Sequence, residues 1–397
     1  MLFRVALRRP CTNAAAVIYL DANATTPLLP EVLEAMLPWL REGFSNPSGA
    51  YSSAKLARKA IDQARGQIGE WIGADAGEIL FTGGGTESVN TALHSLDRLA
   101  GQGRAVVSAI EHSAVLRYVE SLTRDHLKAP VNSGGRLEMN AFADALDGAA
   151  YLSLMAANNE TGIIQPLREA AAMAHERGLP VHSDAIQAVG KIPIDVRELG
   201  VDLLSISAHK FHGPKGVGAL FVREGLRFKP LFEGGGQESG RRSGTENTAG
   251  IVGMGAAAAA CRDSNDCVAK LRDAFEATVL ADIPGIFVNG DTHHRLPNTS
   301  HLSFDQCDAA GLLILLDEAG VACSAGSACM TGKQKPSHVQ LAMGIPAARA
   351  KSSLRISFSR LNTLDEAHAA AVALKKAVEK LRRVQGSGIG PVSVYLP

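Results

Sequence analysis

Between residues 78 and 222, short apolar runs alternate with helix-like stretches, and each run breaks off at polar residues. Few architectures accept that alternation; the one it favours is a mostly parallel sheet with helices on both faces. Strands are read at 78–82, 104–110, 150–156, 179–183 and 201–207, with helices at 86–96, from Ser113 onward, and at 166–177. Gly218–Val222 is read as an edge strand of the same sheet. Ligands of open α/β sheets bind beyond the carboxyl ends of the strands. Successive ends here bring Gly85 with Thr86, then His112, Asn159, Asp184 with Gln187, and finally Ser207 with His209 and Lys210. Core packing gives no reason for a polar group at every one of these ends.

Lys210 follows an apolar run, where burial penalises an ammonium unless the amine stays neutral or is covalently occupied. A Schiff base with an aldehyde cofactor is one such occupation; taken alone, the same lysine can equally snorkel into water. Gly83-Gly84-Gly85-Thr86 opens a helix, so its free N–H groups suit an anion. A glycine-rich strand–helix turn also stands as plain turn chemistry, and neither GxxxxGK[ST] nor GxGxxG is present. Asp184 is either a solvated loop carboxylate or the partner of a protonated ring nitrogen. Lysine, aspartate and phosphate cradle together are the three anchors that pyridoxal phosphate needs.

A length of 397 residues makes two domains the natural prior. Zero formal net charge gives no global field for nucleic acid or an anionic membrane. No apolar run is long enough to span a bilayer; the best, 247–261, is short and rich in Gly and Ala. Six cysteines without a CxxC pair argue against a zinc site or a disulfide scaffold, and for a reducing compartment. Residues 1–20, with Arg4, Arg8 and Arg9, read as an arm or a targeting segment. Residues 21–262 read as the large domain, whose first part joins the smaller one. Residues 263–397 read as that smaller α/β domain, with strands near 286–289, 299–304 and 353–359 and a Gly/Ser/Ala-rich loop at 323–335. An Ala-rich helical stretch at 249–280 leads into it.

Several motifs then resemble a known family. Thr82-Gly83-Gly84-Gly85-Thr86-Glu87-Ser88, Glu111-His112, Asn158-Asn159-Glu160-Thr161-Gly162, His182-Ser183-Asp184-Ala185-Ile186-Gln187, Ser207-Ala208-His209-Lys210, Arg242-Ser243-Gly244-Thr245 and Cys323-Ser324-Ala325-Gly326-Ser327-Ala328-Cys329 look like the cysteine desulfurases. These are pyridoxal-phosphate enzymes of the class V aminotransferase family, and the long loop around Cys329 is similar to the class that feeds iron–sulfur cluster assembly. The resemblance implies fold type I, a large mostly parallel seven-stranded sheet domain plus a smaller α/β domain. It implies that Lys210 holds the cofactor and later shuttles the substrate Cα proton, with Lys215 the weaker candidate. Asp184 pairs with the ring nitrogen, Gln187 with the ring hydroxyl, and His112 stacks on the ring and, as a catalytic residue, handles a proton on the substrate thiol. Gly85, Thr86, Ser207 and His209 hold the phosphate, joined by Thr245 of a second subunit. Asn159 and Arg355 grip the substrate carboxylate, for which an arginine fork is suited. Cys329 is the nucleophile, and Gly326, Ser327 and Ala328 suit a loop that swings.

The implied protein is a cytoplasmic homodimer, or a mitochondrial one if the basic N-terminus is a presequence. It turns L-cysteine into L-alanine and passes sulfur through a Cys329 persulfide to an acceptor such as an iron–sulfur scaffold. No metal, nucleic acid or membrane is expected. The rivals are a selenocysteine lyase and a non-catalytic sulfur-relay subunit. Ala22 stands where the family commonly has asparagine, the run after Cys329 is more basic than usual, and the tail from Gly386 departs from the pattern.

Overall fold

A computed structural model describes residues 17–262, 266–326 and 336–386. The expectations for residues 1–16, for Cys329 and the basic run after it, and for the tail from 387 lie outside the described residues. Among those described, the strands in chain order are β1 (Ile18–Tyr19), β2 (Ile79–Thr82), β3 (Arg104–Ser108), β4 (His126–Ala129), β5 (Ala149–Ser153) and β6 (Val181–Asp184). They continue with β7 (Leu203–Ser207), β8 (Gly218–Val222), β9 (Ile286–Val288), β10 (Thr299–Phe304), β11 (Val321–Ala322) and β12 (Ser353–Ser357).

The large sheet has seven strands in the order β2-β8-β7-β6-β5-β3-β4. β3 to β7 are parallel to one another, while β8 is antiparallel to both its neighbours. Side chains of its strands divide between its two faces. Phe81, Val106, Leu204 and Ile206 enter one core, and Leu80, Ala105, Val107 and Leu203 enter the other. A sheet covered on both sides buries its strands on both faces, and all five residues of β7, Ser205 and Ser207 included, are buried.

Gly218–Val222 is not the expected edge strand. It lies between β2 and β7 and every residue is buried. The edges are β2 and β4. β4 escapes a reading by apolar runs because its His126 and Lys128 face water. The open edge of β2 is closed by an ion pair. Arg65 donates to Ile79 O at 2.7 Å, Glu238 accepts from Phe81 N at 3.0 Å, and the two side chains pair at 2.7 Å. Unpaired strand groups thus find partners without another strand.

The smaller unit is the antiparallel sheet β12-β10-β9, covered by helices Asp266–Asp282, Ala309–Glu318 and Leu364–Gly386 around Phe275, Phe304 and Phe358. β1 pairs with β11, and Leu20 belongs to this core. The Ala-rich stretch is two helices rather than one. Thr248–Ala260 packs on Pro30–Arg41 and Ser52–Ile72, its Gly255 so close that a Cβ would lie 2.7 Å from the Ala64 Cα.

Candidate active site

The helix Gly85–Leu99 starts where β2 ends. Its first residue follows Gly84, whose φ of 144° is open to glycine and strained for other residues, and no side chain caps it. Its leading N–H groups therefore face a cavity of ≈ 500 Å³ at the carboxyl ends of the strands. Gly85 and Thr86 line that cavity, as do His112, Asn159, Asp184, Gln187, Ser207, His209, Lys210 and Arg355. Residues that follow β2, β3 and β5, together with those at the ends of β6 and β7, are thus brought together with one from β12. Thr245 is not among them; it is exposed on this chain. Ser324 and Gly326, which precede Cys329 in sequence, do line the cavity.

Ser207 Oγ is buried and has no hydrogen-bond partner. A Cβ on Gly85 would approach to 3.2 Å of the Ser207 Cβ and 2.5 Å of Ile186 Cδ1, so a larger residue would crowd this cradle. His209 Nδ1 meets Thr25 Oγ1 at 3.1 Å, and burial together with nearby Lys210 pushes its pKa down to about 4. It is neutral at neutral pH.

Lys210 Nζ donates to Asn23 O at 2.7 Å and to Ala24 O at 2.8 Å. Burial, then Arg355, lowers its pKa to about 8, against the pull of Asp184 and Asp21. Asp184 is buried at the end of β6 and accepts from Ile186 N at 3.0 Å. Burial raises its pKa, opposed by His112 and Lys210. His112 caps the helix Ser113–Ser121, its Nδ1 accepting from Ala114 N at 3.1 Å. Burial lowers its pKa, with Asp184 opposing and Lys210 adding, and an Nδ1 that accepts leaves the ring proton on Nε2.

Arg355 is almost wholly buried. It pairs with Asp21 Oδ1 at 2.6 Å and donates to Asn159 O at 2.9 Å. A guanidinium has five N–H groups, and these contacts use two; Nε has no partner. Sequence reading missed the contribution of Asp21, Asn23 and Ala24. It also missed Glu111, which accepts from Ser108 Oγ at 2.6 Å and Met155 N at 2.7 Å and is pushed up to about 8 by burial. The one signal for the first three was a polar loop directly after a short apolar strand.

The aminotransferase class-V family pattern matches residues 18–369. A cysteine desulfurase of Cereibacter sphaeroides is 45% identical over 379 residues, covering 94% of this chain and 98% of that protein. The cysteine desulfurase NifS of Azotobacter vinelandii is 43% identical over 389 residues, covering 95% of this chain and 97% of its own. A solved structure, SspA in complex with cysteine, is similar at a TM-score of 0.77 and 34% identity over 86% of this chain and 98% of that one.

Proposed function

Since the chain belongs to the aminotransferase class-V family, we propose that it is a pyridoxal-phosphate-dependent cysteine desulfurase, converting L-cysteine to L-alanine and an enzyme persulfide. The observation that carries this reading is Lys210, an amine lowered to about 8 in a cavity that also holds a buried carboxylate and an anion cradle. The cofactor fits that cavity on three counts. Ser207 Oγ needs a partner, Gly85 leaves room beside it, and the uncapped helix start offers N–H groups to a phosphate.

When bound, the cofactor supplies an electron sink that lets bonds at the substrate Cα and Cβ break. The chain supplies the rest. Thr86, Ser207 and His209 hold the phosphate with the helix start, and Asp184 holds a proton on the ring nitrogen. Lys210 would hold the cofactor at its aldehyde carbon, and its amine is the group placed to move the proton at the substrate Cα. His112 holds its own proton at Nε2 beside the ring. Arg355 has three unused N–H groups for the substrate carboxylate, with Asn159 next to it. Cys329 is the nucleophile. Its thiolate attacks the substrate sulfur, the Cβ–S bond breaks as an S–S bond forms, and a proton replaces sulfur on the carbon that leaves in alanine. Cβ is reduced as the two sulfurs are oxidised to a persulfide, so no outside oxidant is needed.

The working form is a homodimer, in which the exposed Thr245 reaches the cavity of the partner subunit and joins its phosphate cradle. The persulfide passes to an acceptor protein such as an iron–sulfur scaffold, in the cytoplasm. Among the described residues no helix is long and apolar enough to cross a membrane. Product analysis with cysteine and a reductant is expected to give alanine and sulfide in equal amounts. Pyruvate and ammonia in place of alanine would mean β-elimination and overturn the assignment.

A further inference from the structure

Behind the cavity wall lies a second buried lysine that the chemistry above leaves unused. Lys191 is 8% exposed and does not line the cavity. Its Nζ donates to Gln187 Oε1 at 2.5 Å and to Asn23 Oδ1 at 2.8 Å. A lysine amine facing a side-chain amide at that distance acts as the donor, so the amide atom it meets is oxygen. The other end of the same amide is determined independently. Gln187 Nε2 donates to Asn23 O at 2.9 Å, and a carbonyl can only accept. One N–H of Gln187 is left over.

Asn23 is held just as firmly. Its Oδ1 also accepts from Asn298 Nδ2 at 3.0 Å, and its Nδ2 donates to Thr299 Oγ1 at 2.9 Å. Its carbonyl receives Lys210 Nζ as well as Gln187. Burial, with the cations Lys210 and Arg355 adding to it, holds the Lys191 amine well below the usual lysine range.

We infer that Lys191 is a positioning residue, locking the Gln187 amide so that a donor N–H, and not its oxygen, is left for the hydroxyl oxygen of the cofactor ring. This rests on the reading that pyridoxal phosphate fills the cavity. A donor aimed at that oxygen favours its ionised form; without it, the ionised form is disfavoured. The chromophore itself reports the change, because its visible band titrates with pH.

The test is a spectrophotometric pH titration of the loaded protein in wild type, Lys191→Met, Gln187→Met and the double variant. Lys191→Met is expected to raise the midpoint by about one pH unit, the size of one hydrogen bond to a charged oxygen. Gln187→Met is expected to raise it similarly, and the double variant no further than either, because lysine acts through glutamine. An unchanged midpoint in Lys191→Met, or shifts that add in the double variant, overturns the inference. Should Lys191→Met not fold, Lys191→Gln enters the same cycle and is judged by the same additivity. A wild-type protein that takes up no coloured cofactor would instead overturn the proposed function, and this inference with it.

Discussion

Lys210→Ala is expected to lower alanine release from cysteine by about 10⁴-fold while the chain stays folded, because the variant loses both covalent attachment and the base at Cα. The fold does not depend on this amine. Its partners are two carbonyls of the loop after β1, of which Asn23 O keeps Gln187 Nε2 as a donor and Ala24 is exposed, and burying the amine is itself unfavourable. The same environment predicts a pH profile. Only the unprotonated amine attacks an aldehyde. With a pKa of about 8, roughly a tenth of the amine is unprotonated at pH 7, against about one part in three thousand for an ordinary lysine. Recapture of pyridoxal phosphate by the stripped protein should therefore rise about tenfold per pH unit below 8 and level off above it. A rate still climbing toward pH 10 would show that burial and Arg355 do not tune this group.

Cys329→Ala is expected to keep the visible band and to lose persulfide formation by about 10³-fold or more. The expectation of so large a loss comes from the other thiols. Cys261 and Cys307 are both raised by burial, and Cys323 is pushed up to about 12 by burial, with Asp21 adding and Arg355 opposing. A thiol at 12 is about one part in 10⁵ thiolate at pH 7, and the thiolate is the nucleophile. Cys323 is therefore a poor substitute despite its place beside the cavity. Mass spectrometry of the protein after one turnover reads the outcome directly. A persulfide on Cys323 in the variant, formed at the wild-type rate, would remove Cys329 from the mechanism.

The strand ends were legible because each apolar run stops at a polar residue, and a parallel sheet sends every such stop to the same edge. That is why Gly85, Thr86, His112, Asn159, Asp184, Gln187, Ser207, His209 and Lys210 could be named together and line one cavity. The loop after β1 was not legible in the same way. Asn23 meets Lys191, Lys210 and Asn298 across more than 160 positions of sequence, and no local periodicity encodes such pairings. Arg355 is similar, since β12 belongs to the other sheet and reaches the cavity through tertiary packing. The interior place of Gly218–Val222 has a simpler cause, since its five residues carry no polar side chain and suit a strand buried on both faces. Lys191 sits four residues after Gln187, within one helical turn's reach, yet its burial could not be inferred from a sequence in which most lysines face water.

Borohydride reduction of the loaded protein, followed by peptide mapping, bears most directly on the attachment of the cofactor to Lys210. The predicted result is a pyridoxyl group on Lys210, with Lys191 and Lys215 unmodified. A pyridoxyl group on either of those lysines, or on no residue of the chain, would contradict it.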